Sequence, residues 1–263
     1  MSFFKLVRIV LLLSVLFVLL VGTWMNERRL ANWERPVWVT IYPIVADRSD
    51  ETRKHARSIS SDSFEDINRF FERDLRLYGA LLTPPFHFQI APVSDELPPP
   101  IPDRNSPAAI AVWSLRMRWW SWNMQRNDGL VAPDIQMFVL YHDIGSSSEM
   151  RMSVGMRKGM YGVVKAYAGR NMDRRNQIVI AHELLHVLGA TDKYIFATGD
   201  PEYPFGYANP DRKPLFPQQY AEIMGGRIPL SSIESVSPDS LEQCRIGHKT
   251  AEEIGLFARL QNN

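Results

Sequence analysis

The chain has 263 residues, enough for one large or two small domains with a hydrophobic core of their own. Apolar residues make up 45% and charged residues 22%, an ordinary globular balance, and a net charge of +1 gives no electrostatic case for nucleic acid or a strongly acidic substrate. Cys244 is the only cysteine, which excludes an intramolecular disulfide and a Cys-based zinc site of the finger type.

Residues 1–25 read as a transmembrane signal anchor. Lys5 and Arg8 precede an uncharged apolar run over 9–25. As a helix it spans about 25 Å, close to the ~30 Å hydrocarbon core of a bilayer, and Trp24 falls at the interface. The rival reading, a cleaved signal peptide, lacks a good small-x-small cleavage site. An N-terminus this short stays in the cytoplasm, so the expectation is a single-pass membrane protein with its catalytic domain extracytoplasmic, periplasmic or extracellular. Residues 26–36 then form a charged linker, and 37–263 the folded domain.

Val37, Val39 and Ile41 alternate with Trp38, Thr40 and Tyr42 and predict a first strand. The polar stretch 49–60 reads as a loop. A helix is predicted from about 61 to 78, with Phe64, Ile67, Phe70, Phe71, Leu75 and Tyr78 at helical spacing as a core stripe. Phe86, Phe88 and Ile90 alternate as a second strand. Four prolines between 98 and 102 mark a stiff loop. A second helix covers about 107–126 and carries four tryptophans, read as packing on a sheet.

Residues 135–142 form a near-continuous apolar run, the mark of a central strand. Two more strands are predicted near 152–156 and 161–168, then a helix over 173–188. The order β-α-β-α-β-β-β-α predicts a layered domain with a mixed, twisted sheet and packed helices. Cys244 reads as a small helix-packing residue.

The segment IVIAHELLHVLGATDKY covers 178–194. His182 and His186 are four apart, which on a helix puts both imidazoles on one face within reach of one ion. Glu183 follows the first His, where a carboxylate lies beside a metal without ligating it. A general base acting on water must sit there. Gly189 is able to end the helix in the left-handed conformation, and the turn brings Asp192 back as a third oxygen ligand. A later carboxylate, Glu202 or Glu222, is the alternative third ligand.

HELLHVLGATD resembles the extended zinc motif of the metzincin clan of metallopeptidases, whose last ligand is His and in some families Asp. The resemblance implies Zn2+ held by His182, His186 and Asp192, with Glu183 as the catalytic base. It also implies a Met-turn beneath the site, for which EIMGG with Met224 is the candidate, and after it a closing helix, for which 238–257 with Ser237 as N-cap is the candidate, in a smaller C-terminal helical subdomain. The implied fold is α+β and the implied partner a protein or peptide substrate. The clan's tyrosine two residues after the Met has no counterpart, since Gly226 stands there; Tyr194, Tyr203, Tyr207 and Tyr220 are unranked candidates for its role. A second reading is a non-catalytic, membrane-anchored metal-binding or scaffold protein on the same fold.

Overall fold

A computed structural model of the chain describes residues 4–5, 7–10, 13–14, 17, 32–100, 102, 106–145, 154–156 and 159–257. The centre is a five-stranded sheet built from β1 (Val37–Val45), β2 (Phe86–Ile90), β3 (Ile135–Asp143), β4 (Val154–Met156) and β5 (Tyr161–Ala168). The strand order is β2-β1-β3-β5-β4. All neighbours are parallel except β4, which runs antiparallel to β5 at one edge.

The sheet is covered on both faces, and the alternation of residues along the strands shows how. Val39, Ile41 and Val45 of β1, with Ile135, Met137, Val139 and Tyr141 of β3, enter the larger core. Tyr42, Ile44, Phe138 and Leu140 point to the other face. With both faces buried, the central strands read as continuous apolar runs. The larger core is closed by α1 (Asp50–Ser58), α2 (Glu65–Leu77) and α4 (Asp173–Leu188), the smaller by α3 (Pro107–Arg126). Phe70 and Phe71 of α2 are both buried, each contributing about 1.5–3 kcal/mol, and Phe71 meets Phe86 of β2 edge-on. Trp113 and Trp120 of α3 pack on the sheet as expected, while Trp119 and Trp122 stay exposed.

The predicted layered α/β arrangement with a mixed sheet is present. Helix α1 replaces the expected loop over 49–60. Ser49 caps it by accepting from the Thr52 main-chain N–H at 3.1 Å, and only Thr52 and Ala56 are buried, too few to give a visible apolar stripe. Trp33, assigned to the linker, is buried in the larger core, and its Nε1 donates to the Ile254 carbonyl at 2.9 Å.

The C-terminal part differs more. Short pairings join β6 (Ala221–Glu222) to β9 (Cys244–Arg245) and β7 (Ile228–Pro229) to β8 (Ser235–Val236). The long helix expected over 238–257 is reduced to a 3-10 turn (Leu241–Gln243) and the six-residue α5 (His248–Glu253). Main-chain pairing to β6 draws 244–245 into extended structure, and the buried Asp74 carboxylate holds the Ile246 N–H. Cys244 is buried as expected, but on a strand. The smaller C-terminal region is therefore mostly turns and short pairings rather than helical.

The membrane placement is overturned. Among the described residues no helix is long and apolar enough to cross a membrane. Within 1–25, helix is described only at 4–5, 7–10, 13–14 and 17, and the rest of the supposed anchor lies outside the described residues. That finding overturns the expectation of a single-pass protein with an extracytoplasmic domain, drawn from the run over 9–25 and its flanks.

Candidate metal centre

Helix α4 carries the site because its two faces do different work. Ile180, Ala181, Leu184, Leu185 and Leu188 fix it on the sheet, and His182 and His186, one turn apart, face outward. The two rings stand 4.7 Å apart, centroid to centroid, and nearly perpendicular. Gly189 ends the helix with φ of 117°, a conformation that costs an L-residue about 1–2 kcal/mol. The Ala190 N–H returns to the Leu185 carbonyl at 2.9 Å, which closes the turn.

That turn performs two tasks. It places the Ala190 carbonyl 2.9 Å from His186 Nδ1, and it swings Asp192 back so that its Oδ1 lies 3.0 Å from His186 Nε2 and 3.2 Å from His182 Nε2. The Ile223 carbonyl stands 3.0 Å from His182 Nδ1. With both Nδ1 atoms committed as donors to carbonyls, both Nε2 atoms are left to face Asp192. Nε2 lone pairs and a carboxylate oxygen aimed at one small volume repel one another unless a cation, proton or metal, lies among them. One donor atom each from His182, His186 and Asp192 fall within 4.8 Å of one another. Two imidazole nitrogens and a carboxylate oxygen are donor types that a divalent ion such as zinc accepts, and the 3.0 and 3.2 Å separations are also those of hydrogen bonds.

The electrostatics follow from the same contacts. Burial alone would lower the His182 pKa, but the hydrogen bond to Asp192, the Glu183 charge and the Ile223 carbonyl outweigh it and raise it. Burial would raise the Asp192 pKa, yet the two imidazoles hold it well below the carboxylate range. Glu183 is buried beside His182, and its charge is felt by both His182 and Tyr194. Burial and then Asp192 push the Tyr194 hydroxyl pKa up, the latter also through a hydrogen bond.

The sequence-predicted residues come together in part. His182, His186 and Asp192 share one point, and Glu183 is adjacent. Glu222, an alternative ligand, is fully buried and points away, its oxygens accepting from the Gly225 N–H at 2.7 Å, the Gly247 N–H at 3.1 Å and the Thr250 hydroxyl at 2.7 Å. Glu202 is absent from the metal-competent cluster found among the described residues. Met224 is buried in a tight turn closed by the Gly225 and Gly226 N–H groups on the Glu222 carbonyl, both at 2.9 Å. The turn touches the site through Ile223. It is braced from outside as well: a Cβ on Gly225 would lie 2.5 Å from the Gly206 carbonyl oxygen.

Among the four tyrosines, Tyr194 reaches Asp192. Tyr203 and Tyr207 pack on each other at 5.3 Å, and Tyr220 lies under the Arg245 guanidinium at 3.6 Å. The orienting carbonyls of Ala190 and Ile223 have no sequence signal, since any residue supplies one.

Neither a protein-family model nor a curated protein matches the sequence. Among solved structures, one described as "Structure of a chaperone-substrate complex" aligns with 86% of this chain at 14% identity and a TM-score of 0.43. The chain spans 34% of the length of that neighbour. A likeness of this degree assigns neither a family nor a partner.

Proposed function

We propose that the protein is a zinc-dependent endopeptidase, similar in its site to the metzincin clan, acting on protein or peptide substrates. The convergence of His182, His186 and Asp192 on one point, with Glu183 beside it, carries this reading. Zinc, when bound, acts as a Lewis acid and brings the pKa of its water to about 7.

The chain's residues divide the remaining work. The Ile223 and Ala190 carbonyls hold the imidazoles in the tautomer that presents Nε2. Glu183 takes the proton of the attacking water on a carboxylate oxygen as the new C–O bond forms, and hands it to the departing nitrogen as the C–N bond breaks. The exposed side chains of Ile195, Phe196, Tyr203 and Phe205, on the segment after Asp192, offer apolar contact to a substrate. The antiparallel edge strand β4, close to α4, offers main-chain pairing to an extended peptide.

The test is metal content together with hydrolysis. The wild type should hold about one zinc per chain, and His182→Ala or His186→Ala should lose it. Asp192→Asn should bind zinc more weakly, a neutral amide oxygen being a poorer donor than a carboxylate. Glu183→Gln should keep zinc and fold while hydrolysis falls about 10²–10⁴-fold. Full zinc occupancy in the double His variant, or near-normal hydrolysis by Glu183→Gln, would overturn the assignment.

A further inference from the structure

Asp192 differs from the two His ligands in how it is held. They sit on a packed helix, whereas Asp192 lies beyond the helix end with its side chain 41% exposed. Something else must fix it, because a metal ligand displaced by a fraction of an ångström no longer completes the site.

The neighbours on either side of Asp192 are gripped by one carboxylate. Glu253, at the end of α5, accepts from the Thr191 N–H through Oε2 and from the Thr191 hydroxyl through Oε1, both at 2.9 Å. The same Oε2 accepts from Lys193 Nζ at 2.7 Å. Lys193 is buried, and its ammonium also donates to the Thr191 carbonyl at 2.7 Å and the Thr191 hydroxyl at 2.9 Å. The Lys193 main chain is held as well: its N–H donates to the Met224 carbonyl at 2.9 Å, and its carbonyl accepts from the Glu202 N–H at 2.8 Å. Asp192 is the residue left between two clamped neighbours, with its side chain directed at the imidazoles.

We infer that Glu253 is a positioning residue for Asp192, setting the affinity of the site through the Thr191–Lys193 backbone without touching the ion or the substrate. This rests on the zinc reading above. A largely buried ion pair such as Lys193–Glu253 is a poor device for stability alone, since desolvating two charges consumes most of the attraction between them. What it supplies is a fixed geometry, with every ammonium proton directed to a named oxygen of Glu253 or Thr191.

The experiment uses the full chain and its Glu253→Ala and Glu253→Gln variants. Zinc affinity is measured by competition with a chromophoric chelator, and cobalt(II) is substituted as a spectroscopic probe. Metal-free unfolding is followed in parallel. Outer-shell partners of metal ligands set affinity by about 10–100-fold. Glu253→Ala should lose that much, and its cobalt spectrum should move toward that of Asp192→Ala. Glu253→Gln keeps the volume and one acceptor oxygen, so it should fold and fall between wild type and Glu253→Ala. A purely structural brace would lower the metal-free melting temperature and leave both metal readouts unchanged. Zinc affinity within twofold of wild type and an unaltered cobalt spectrum in both variants would overturn the inference alone. A wild type that binds no zinc would overturn the zinc reading and this inference with it.

Discussion

Replacing Glu222 by alanine tests how the turn under the site is held. The carboxylate is fully buried and accepts two main-chain N–H groups, from Gly225 and Gly247, and the Thr250 hydroxyl. In Glu222→Ala the Thr250 hydroxyl rotates to a carbonyl of its own helix and the Gly225 N–H keeps the Glu222 main-chain carbonyl at 2.9 Å, but the Gly247 N–H loses its acceptor. Leaving it unpaired costs about 1–3 kcal/mol, and the lost side-chain bond to the Gly225 N–H adds about 0.5–1.5 kcal/mol. Against this, burial pushes the Glu222 pKa up, so removing the group also relieves a desolvation cost. The net loss should be about 1–3 kcal/mol, a sizeable part of a typical stability of about 5–15 kcal/mol. Urea unfolding of metal-free wild type and variant measures it. The same turn carries the Ile223 carbonyl to His182, so zinc affinity should fall in the variant as well. Stability within about 0.5 kcal/mol of wild type would refute the reasoning, since it would mean that the Gly247 N–H does not depend on this acceptor.

Two further outcomes are expected. Gly225→Ala drives a methyl group into the Gly206 carbonyl and should lower stability by about 1–3 kcal/mol, read as a drop in melting temperature; an unchanged melting temperature would show that the two segments part freely. Stabilisation by zinc should grow with pH. In the metal-free protein the raised His182 pKa contributes stability that is present below its ordinary 6.5 and lost as pH rises through the raised value. The depressed Asp192 pKa contributes stability that is present above its ordinary 3.8 and lost only in stronger acid. Zinc requires deprotonated His182, so the melting shift it produces should be smaller at about pH 5.5 than at about pH 8. Equal shifts at both pH values would contradict the linkage.

The parts of the fold that were legible in the sequence are those in which one face does one job. The alternation through Val37, Val39 and Ile41 and the stripe through Ile67, Phe70, Phe71 and Leu75 each bury a regular set, and β1 and α2 follow. Helix α1 was illegible because only Thr52 and Ala56 are buried and its start depends on the Ser49 cap. The C-terminal helix that the resemblance implied gives way to distant partners, β6 for Cys244–Arg245 and Asp74 for Ile246. The His182–His186 spacing was legible because a helix converts sequence distance into a fixed direction. Glu253 was not, since nothing local links it to Thr191 across 62 residues. The apolar run over 9–25 with its charged flank predicts a span, yet among the described residues no helix is long and apolar enough to cross a membrane.

The grip of Glu253 on Thr191 also sets an order of events during synthesis. Ribosomes extend a chain at about 5–20 residues per second, so the segment bearing Asp192 waits about 3–12 s, over those 62 residues, for its clamp to be made. Helix α4 and the strands beneath it are already available in that interval. The Asp74 carboxylate and the Trp33 indole wait longer still, for Ile246 and Ile254, across 172 and 221 residues. Contacts that close loops of this length form after the local ones. A nascent chain therefore carries the two imidazoles before Asp192 is fixed beside them, and the cluster takes its final form only when Glu253 has reached Thr191 and Lys193.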